Sequence, residues 1–333
     1  MKAAIVGGGV IGGGWAARFL LNGWDVSLYD KGGRSLERVE QVVSNARASL
    51  PLIYEGQLPP AGKLHVHDDL KTTVSDADWV QESVPERLDI KSAVLREICE
   101  SARPEAVIGS STSGFMPSTL AETLPGRERF LVAHPFNPVY LLPLVELVPS
   151  KWTAAATVEM ASEILSGIGM KPLTLRREID GFIANRLQEA MWRESLWLIH
   201  DGIATTTEID DALRYGFGLR GAQMGQFDTY RAAGGEGGMA HFLSQFGPAL
   251  KEPVSHLMDV PDLDAELIGT ISQQSGEQSG HLTIAELEQL RDRNLVGIIR
   301  ALKDTQTGAG QTAFAHDTRL KQGADELTKG SHA

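Results

Sequence analysis

The hydrophobic and polar positions change their period about half-way along the chain. Up to about residue 178, short apolar runs alternate with longer stretches in which apolar residues recur every three or four positions. The runs predict buried strands, and the stretches between them predict helices. The predicted strands are Lys2–Val6, Asp25–Tyr29, Trp79–Glu82, Val107–Ser110, Phe130–Ala133, Leu144–Val148 and Pro172–Leu175. Such alternation predicts an α/β fold with a doubly wound sheet, whose ligands bind beyond the carboxyl ends of the strands.

From Asp180 onward the apolar positions recur near a 3.6-residue period as far as Gly202, which predicts a helix. Two later helices begin with capping-box spacing, at Thr205 with Glu208 and at Thr283 with Glu286. We therefore predict a first domain over residues 1–179 and an all-α C-terminal domain over residues 180–310. The polar, glycine-containing residues 311–333 predict a mobile tail.

A glycine motif of the form G-x-G-x-x-G follows the first strand directly, at Gly7, Gly9 and Gly12. The first glycine permits a tight turn, the second lets a pyrophosphate approach the backbone, and the third lets the next helix lie close to the sheet. Asp30 ends the second strand, where a carboxylate binds ribose hydroxyls and repels a 2′-phosphate. The pattern predicts a Rossmann-type domain that binds NAD rather than NADP. The predicted binding residues are Gly7, Gly9, Val10, Ile11, Gly12 and Asp30.

Bulk composition narrows the class of protein. The chain has 333 residues and one cysteine, Cys99, in a helical pattern that favours burial over a nucleophilic role. Its formal net charge of −12 disfavours nucleic acid as a partner. No charged and apolar leader precedes the first strand, and no apolar run approaches bilayer length. We expect a cytoplasmic enzyme that acts on a small molecule, with no membrane, nucleic acid or metal partner.

A candidate catalytic pair lies twelve positions apart in the sequence. His134 stands in Ala133–Pro138, and Glu146 stands in Pro143–Val148. Imidazole is the side chain suited to take and return a proton near neutral pH, and a carboxylate can orient it and stabilise its charge. A hairpin-like excursion turned by two prolines could bring the pair together, although a buried histidine beside a glutamate can also be purely structural. With NAD, the pair predicts hydride transfer coupled to proton transfer at an alcohol.

With these residues placed, the chain resembles the 3-hydroxyacyl-CoA dehydrogenase superfamily over about residues 2–310. Within it, the likeness is greatest to the branch that acts on free hydroxy acids and, in that branch, to members that oxidise L-carnitine. The segments that carry the resemblance are Gly7–Gly13, Trp79–Arg87, His134–Pro143 and Arg231–Glu236. The resemblance implies a Rossmann domain, a helical domain that also forms a homodimer, and NAD-dependent oxidation of the 3-hydroxyl of a small β-hydroxy acid.

The resemblance also implies roles for single residues. His134 matches the general base, Glu146 its partner acid, Ser113 the serine that hydrogen-bonds the reacting oxygen, and Asn185 an active-site asparagine. Three more residues match positions near the nicotinamide and its ribose: Glu86, Lys91 and Asn137. Without the resemblance, the serine would be a loop residue, the helical asparagine a cap or surface residue, and the other three ordinary surface polarity.

Other residues of the sequence indicate which class of substrate is bound. The segment Ser49–Pro60 lacks lysine and arginine, whereas the phosphates of CoA would need them, so a free acid is favoured. Position 111 is Ser where the CoA-using members usually have Asn. Arg220 could bind a carboxylate through two parallel hydrogen bonds, or it could be a surface arginine.

Carnitine also carries a trimethylammonium group, which proteins hold with aromatic faces and negative charge. Asn185, Glu189 and Trp192 are spaced to share one helix face, and Tyr140 is a further candidate, although each aromatic could instead fill the core or a dimer interface. The chain departs from the carnitine-oxidising members at three positions where they carry tryptophan, which are Gly221, Glu252 and Val254.

Three alternatives stay open. One is the oxidation of L-gulonate or another 3-hydroxy acid, as in the relatives of lambda-crystallin, which share the Ser110–Ser113 and Pro143–Pro149 patterns. Another is a 3-hydroxyacyl-CoA dehydrogenase, which the missing basic stretch disfavours. The third is a crystallin-like, non-catalytic binding or structural protein on the same scaffold, against which the intact set of candidate catalytic residues argues.

Overall fold

An eight-stranded sheet forms the centre of the first part of the chain, in the order β3-β2-β1-β4-β5-β6-β7-β8. The computed structural model describes residues 1–31, 35–222, 225–233, 236, 238–246, 255, 264–267, 270, 281 and 283–330. The strands are β1 Lys2–Val6, β2 Asp25–Tyr29, β3 Leu64–His67, β4 Trp79–Glu82, β5 Val107–Ser110, β6 Phe130–Pro135, β7 Leu144–Pro149 and β8 Lys171–Thr174.

The sheet confirms the predicted fold class and all seven predicted strands, with ends that differ by up to two residues. Neighbouring strands are parallel except β6 and β7, which pair antiparallel. The excursion predicted between these two strands is therefore a hairpin. The sequence reading missed β3 at the sheet edge.

Helices cover the two faces of this sheet. They are α1 Val10–Leu21, α2 Ser35–Ser49, α3 Leu70–Val74, α4 Leu88–Ser101, α5 Pro117–Ala121 and α6 Ala155–Gly167, with 3₁₀ turns at Leu50–Ile53 and Arg127–Arg129. Cys99 on α4 is buried, and its burial raises the pKa of the thiol to about 11. A thiol that stays protonated near neutral pH is a poor nucleophile.

A second compact unit, Ala184–Arg291, is helical where it is described. Its helices are α7 Ala184–His200, α8 Thr206–Asp211, a π-helical turn Ala212–Phe217, α9 Gly218–Gly221, α10 Gln226–Ala233 and α11 Gly238–Phe246, and the start of α12 Ile284–Thr305. Both predicted capping boxes are present, at Thr205 with Glu208 and at Thr283 with Glu286. The helix predicted from Asp180 begins four residues later, because the two residues before Ile183 have left-handed backbones.

The C-terminal residues differ from their predicted place. Asp292–Ala333 group with Met1–Ile183 instead of with the helical unit, and α13, Gly308–Gly330, occupies most of the stretch expected to be a mobile tail. The physical reason is a set of long-range contacts. Asp317 on α13 accepts hydrogen bonds from the backbone N–H groups of Glu55 (2.9 Å) and Gly56 (2.5 Å), and it pairs with Lys303 (3.1 Å).

The described residues contain neither a membrane-spanning helix nor a cluster of metal-ligating side chains. None of their helices is both long and apolar enough to cross a bilayer. No group of three or more His, Cys, Asp or Glu side chains among them is arranged to hold a metal ion.

Candidate active site

The carboxyl ends of four parallel strands bring most of the predicted site residues to one edge of the sheet. Val6 pairs with Glu82, Glu82 with Ser110, and Ser110 with Val132. The glycine turn follows β1 and the Ser113 loop follows β5. His134 lies two residues beyond Val132 on β6, so base, serine and glycine turn share the edge where ligands bind in sheets of this kind.

The glycine turn has the shape that a dinucleotide requires. Gly7 has a φ of +104°, and a Cβ on it would lie 2.5 Å from the Ser83 carbonyl oxygen. A Cβ on Gly12 would lie 1.8 Å from the carbonyl oxygen of Gly7, so neither position admits a side chain. Gly9 is exposed, and in the described part of the chain no atom lies within 4 Å of its Cβ position, which leaves its backbone open to a phosphate.

Asp30 lies beside this turn as predicted, at the end of β2. Its Oδ2 accepts a hydrogen bond from the Gly8 N–H at 2.6 Å. Val10 and Ile11 form the first turn of α1 and are half-buried. The residues present therefore fit NAD: the glycines and the first turn of α1 would hold the pyrophosphate, and Asp30 would hold the adenine-side ribose.

Lys91, one of the residues predicted to lie near the nicotinamide, forms a buried ion pair with Glu82. Glu82 is fully buried, and its Oε1 accepts hydrogen bonds from Lys91 Nζ (2.9 Å) and the Val84 N–H (2.7 Å). Lys91 Nζ also contacts the Val84 carbonyl (3.1 Å) and Glu86 Oε2 (3.2 Å), so all three of its N–H bonds are used within the protein. Burial raises the pKa of the Glu82 carboxyl, while Lys91 and Ser110 act in the opposite direction.

Glu86 links this pair to the Ser113 loop. Its Oε1 accepts hydrogen bonds from the Thr112 hydroxyl and from the N–H groups of Ser113 (3.1 Å) and Gly114 (3.2 Å). The side chain of Lys91 is only 1 % exposed, whereas that of Glu86 is 42 % exposed. In this arrangement Lys91 acts through Glu86, which faces solvent at the ligand edge of the sheet.

His134 and Glu146 are directly opposite each other in the β6–β7 ladder. His134 Nδ1 lies 3.0 Å from Glu146 Oε2, and both residues are buried. A carboxylate can only accept, so in the neutral imidazole the proton sits on Nδ1 and the lone pair is on Nε2. The pair thus has the tautomer that a general base needs, with a negative charge placed to stabilise the imidazolium.

The second oxygen of Glu146 is held by backbone. Its Oε1 accepts a hydrogen bond from the Ile183 N–H at 2.9 Å. Gly181 and Phe182 before it have φ values of +70° and +53°. A left-handed backbone at a residue other than glycine costs about 1–2 kcal/mol, and burying a phenylalanine side chain contributes about 1.5–3 kcal/mol. The fully buried Phe182, whose ring centre lies 5.5 Å from that of His134, can therefore offset its own strain.

Two predicted residues lie in the hairpin between β6 and β7. Asn137 is exposed, three residues after the base. Tyr140, predicted to bind substrate, is instead 3 % exposed, and its hydroxyl donates to Asp292 Oδ2 at 2.5 Å. It packs into the core of its own unit because the hairpin lies against α1, where Val139 fills the space beside Gly14. We therefore leave Tyr140 out of the substrate site.

The other predicted substrate residues belong to the helical unit. Asn185 lies in the first turn of α7 and is half-buried, and Trp192 on the same helix is 57 % exposed. The Glu189 carboxylate pairs with Arg193 at 3.0 Å. Arg220 on α9 is exposed, and a Cβ on Gly221 beside it would meet no atom of the described residues within 4 Å. Glu252 and Val254 lie outside the described residues.

Sequence reasoning missed two residues of the edge. Glu82 is predicted only as the end of a strand, and no role is predicted for Thr112. A charged residue closing a buried apolar strand is a usable signal for the first, because a buried carboxylate needs a partner. No local signal identifies Thr112, since its role depends on Glu86, 26 positions earlier.

Family models match both parts of the chain. Residues 2–179 match the NAD-binding domain of 3-hydroxyacyl-CoA dehydrogenase, and residues 181–265 match its C-terminal domain. The chain belongs to the 3-hydroxyacyl-CoA dehydrogenase family. Residues 2–179 are accordingly an NAD-binding domain, as the glycine turn predicted, and the resemblance read from the sequence is confirmed.

Three similar proteins are named as dehydrogenases. An L-carnitine dehydrogenase from Mesorhizobium japonicum is 52 % identical over 96 % of this chain and 89 % of its own length. An L-carnitine dehydrogenase/betainyl-CoA thioesterase from Ruegeria pomeroyi is 57 % identical over 96 % of this chain. The chain spans only 66 % of that protein's length. A solved 5-formyl-3-hydroxy-2-methylpyridine 4-carboxylic acid 5-dehydrogenase has a TM-score of 0.79 at 29 % identity, and the match covers 91 % of this chain and 98 % of that one.

Asp30→Ala is expected to weaken NADH binding and to narrow the preference for NADH over NADPH. The change removes the carboxylate that repels a 2′-phosphate and the acceptor of the Gly8 N–H. Fluorescence titration with both nucleotides measures the two dissociation constants. Asp68→Ala, at an exposed aspartate after β3, is the matched control. An unchanged ratio of the two constants in Asp30→Ala would remove Asp30 from the ribose site.

Glu146→Gln is expected to lower kcat by on the order of 100-fold or more, because an amide cannot stabilise the charge that His134 gains. His134→Ala should lose a similar or larger factor, and NADH binding should change little in either variant. Stopped-flow rates and fluorescence titration separate the two effects. The exposed Glu163→Gln on α6 serves as control. Normal turnover in both site variants would show that the pair is structural.

Proposed function

We propose that the protein oxidises the 3-hydroxyl of L-carnitine to a ketone, with NAD as the hydride acceptor. The observation that carries the reaction type is the His134–Glu146 pair at the ligand edge of the NAD-binding sheet. The relatives named for L-carnitine supply the substrate. When bound, NAD supplies the acceptor for the hydride that leaves the carbinol carbon.

Residues of the chain would carry out proton transfer and substrate binding. Nε2 of His134 takes the hydroxyl proton, while Glu146 keeps the ring oriented and stabilises its positive charge. Ser113, at the exposed tip of the loop held by Glu86, is suited to donate a hydrogen bond to the reacting oxygen. From the helical unit, we propose that Asn185 hydrogen-bonds the same oxygen and that Arg220 binds the substrate carboxylate.

The ammonium group would be bound by α7. Trp192 offers an exposed aromatic face, and Glu189 offers a negative charge one turn earlier on the same face of the helix. Arg193 partly neutralises that charge. The indole is therefore the stronger candidate, and no atom of the described residues fills the space beside Gly221, where the carnitine-oxidising members carry tryptophan.

The test is NADH formation with L-carnitine, D-carnitine, L-gulonate and 3-hydroxybutyrate, together with the reverse reaction on acetoacetyl-CoA. We expect turnover of L-carnitine alone among these compounds, and we expect its loss in His134→Ala. Arg220→Met should raise the KM for L-carnitine with little change in kcat. If the protein oxidised L-gulonate or reduced acetoacetyl-CoA but did not oxidise L-carnitine, the proposed hydride-transfer reaction would stand and the proposed substrate would be wrong. If none of these compounds were turned over while NADH binding was intact, the result would contradict an enzymatic role.

We further propose that the protein is a homodimer formed through the Ala184–Arg291 unit. Large apolar side chains are exposed in its described part: Leu187, Ile203, Tyr215, Leu219 and Phe227. An apolar cavity of about 690 Å³ in the same unit adds to this surface. Exposed apolar area of this kind is typical of an association surface.

Light scattering should therefore give twice the chain mass of 36.0 kDa. Phe227→Glu, at a side chain that is 80 % exposed, should shift the protein towards the monomer. Leu52→Glu in the other unit, at a side chain 55 % exposed, should not. A wild-type monomer at micromolar concentration would overturn the proposal.

A cytoplasmic location is part of the same proposal. The free thiol of Cys99 supports it, because an unpaired cysteine fits a reducing compartment. Cell fractionation of the source organism tests it.

A further inference from the structure

A chain of hydrogen-bonded polar side chains lies beneath the glycine turn. Trp79 Nε1 donates to Gln81 Oε1 (3.0 Å), and Gln81 Nε2 donates to Ser111 Oγ (2.7 Å). Trp15 Nε1 on α1 also donates to Ser111 Oγ (3.2 Å), and Ser111 Oγ lies 2.8 Å from Ser83 Oγ. None of these five side chains belongs to the catalytic pair or to the Glu82–Lys91–Glu86 network.

The orientation of the Gln81 amide is fixed from both ends. The indole of Trp79 can only donate, so it must face Oε1. The Ala133 carbonyl can only accept, and it lies 3.2 Å from the other end, which must be Nε2. Gly109 on the neighbouring strand leaves room for the amide, since a Cβ there would lie 2.7 Å from Oε1. Gln81 therefore presents an N–H group to Ser111.

This orientation decides the direction of the next hydrogen bond. A serine hydroxyl has two lone pairs and one hydrogen. Ser111 Oγ accepts from Trp15 and from Gln81, neither of which can accept in return, so both lone pairs are used. Its hydrogen must then go to Ser83 Oγ, its remaining neighbour. Ser83 is the acceptor of this bond and keeps its own hydroxyl hydrogen for another partner.

Ser83 lies beside the glycine turn, where its hydroxyl hydrogen can contact a ligand. It follows β4 directly, its N–H donates to the Val6 carbonyl (2.7 Å), and its carbonyl touches the Cβ position of Gly7. The residue is half-buried, and within the described residues its hydroxyl has no hydrogen-bond partner other than Ser111. A polar hydrogen at the glycine turn, held in one direction by a buried network, is an arrangement suited to binding an oxygen of a ligand.

We propose that Ser83 is a cofactor-binding residue that donates its hydroxyl hydrogen to a phosphate or ribose oxygen of the bound dinucleotide. Ser111 is the positioning residue, because its own donated bond occupies one lone pair of Ser83 Oγ and turns the Ser83 hydrogen outward. The hydroxyl needs little reorientation when the dinucleotide binds, and the bond therefore adds affinity at a small entropic cost.

Nucleotide titrations of the full-length protein test the assignment. Ser83→Ala should raise the Kd for NADH roughly tenfold, which corresponds to about 1.4 kcal/mol. Ser83→Thr keeps a hydroxyl and should recover most of the loss. Ser75→Ala, at an exposed serine that caps α3, should bind NADH as the wild type does. Melting temperatures measured in parallel separate a binding effect from a general loss of stability.

Shorter nucleotides identify the oxygen that is bound. If the acceptor is a phosphate oxygen, Ser83→Ala should weaken ADP binding as much as NADH binding. If it is an oxygen of the nicotinamide-side ribose, ADP binding should be unchanged and ADP-ribose binding should weaken. Equal affinity of Ser83→Ala and the wild type for NADH would overturn the proposal, as would a loss seen with NADH but with neither shorter nucleotide.

The role of Ser111 is tested by combining the two changes. In a Ser111→Ala background the Ser83 hydroxyl loses its fixed direction, so adding Ser83→Ala should raise the Kd for NADH by a smaller factor than it does in the wild type. A full, additive loss would show that Ser111 does not orient Ser83. Because each titration reports on NADH binding, the result does not depend on whether L-carnitine is the substrate.

Discussion

The antiparallel pairing of β6 with β7 is the constraint on which the catalytic proposal depends. A parallel connection would send the chain away from His134, whereas the hairpin returns it and sets Glu146 directly opposite. Residues opposite each other in such a ladder project to the same face of the sheet, so register alone brings imidazole and carboxylate together. A slip of one residue would turn Glu146 to the other face. Backbone pairing thus fixes the tautomer of the base.

The carboxylate is held from a second direction by a strained turn. Without the Ile183 N–H, Oε1 of the buried Glu146 would lose a hydrogen bond that helps to stabilise its charge. Presenting that N–H requires left-handed backbone at Gly181 and Phe182. The strain lies immediately before α7, and it is offset by the burial of Phe182 against Val132 and Val148. Local strain that persists because packing determines it is typical of functional sites.

Much of this could be predicted from the sequence, because its signals are local. Most predicted strands are runs of mainly apolar residues, and glycine spacing marks a turn that admits no side chain at Gly7 or Gly12. The edge strand β3 mixes two apolar residues with two histidines on a largely exposed surface, so it has no such run. The packing of α13 depends on Asp317 contacting Glu55, 262 positions away, which no local pattern encodes. The burial of Tyr140 likewise depends on where the hairpin meets α1.

Alternation along β4 and β5 divides the polar groups of the ligand edge into two networks. Gln81 and Ser111 join the chain that ends at Ser83, while Glu82 and Ser110 project to the opposite face and join the network that holds Glu86. Buried polar groups are costly unless they are fully bonded, so each network tolerates little movement. Gln81 also binds the carbonyl of Ala133, the residue before His134. One buried amide therefore positions both the proposed cofactor contact at Ser83 and the strand that carries the base.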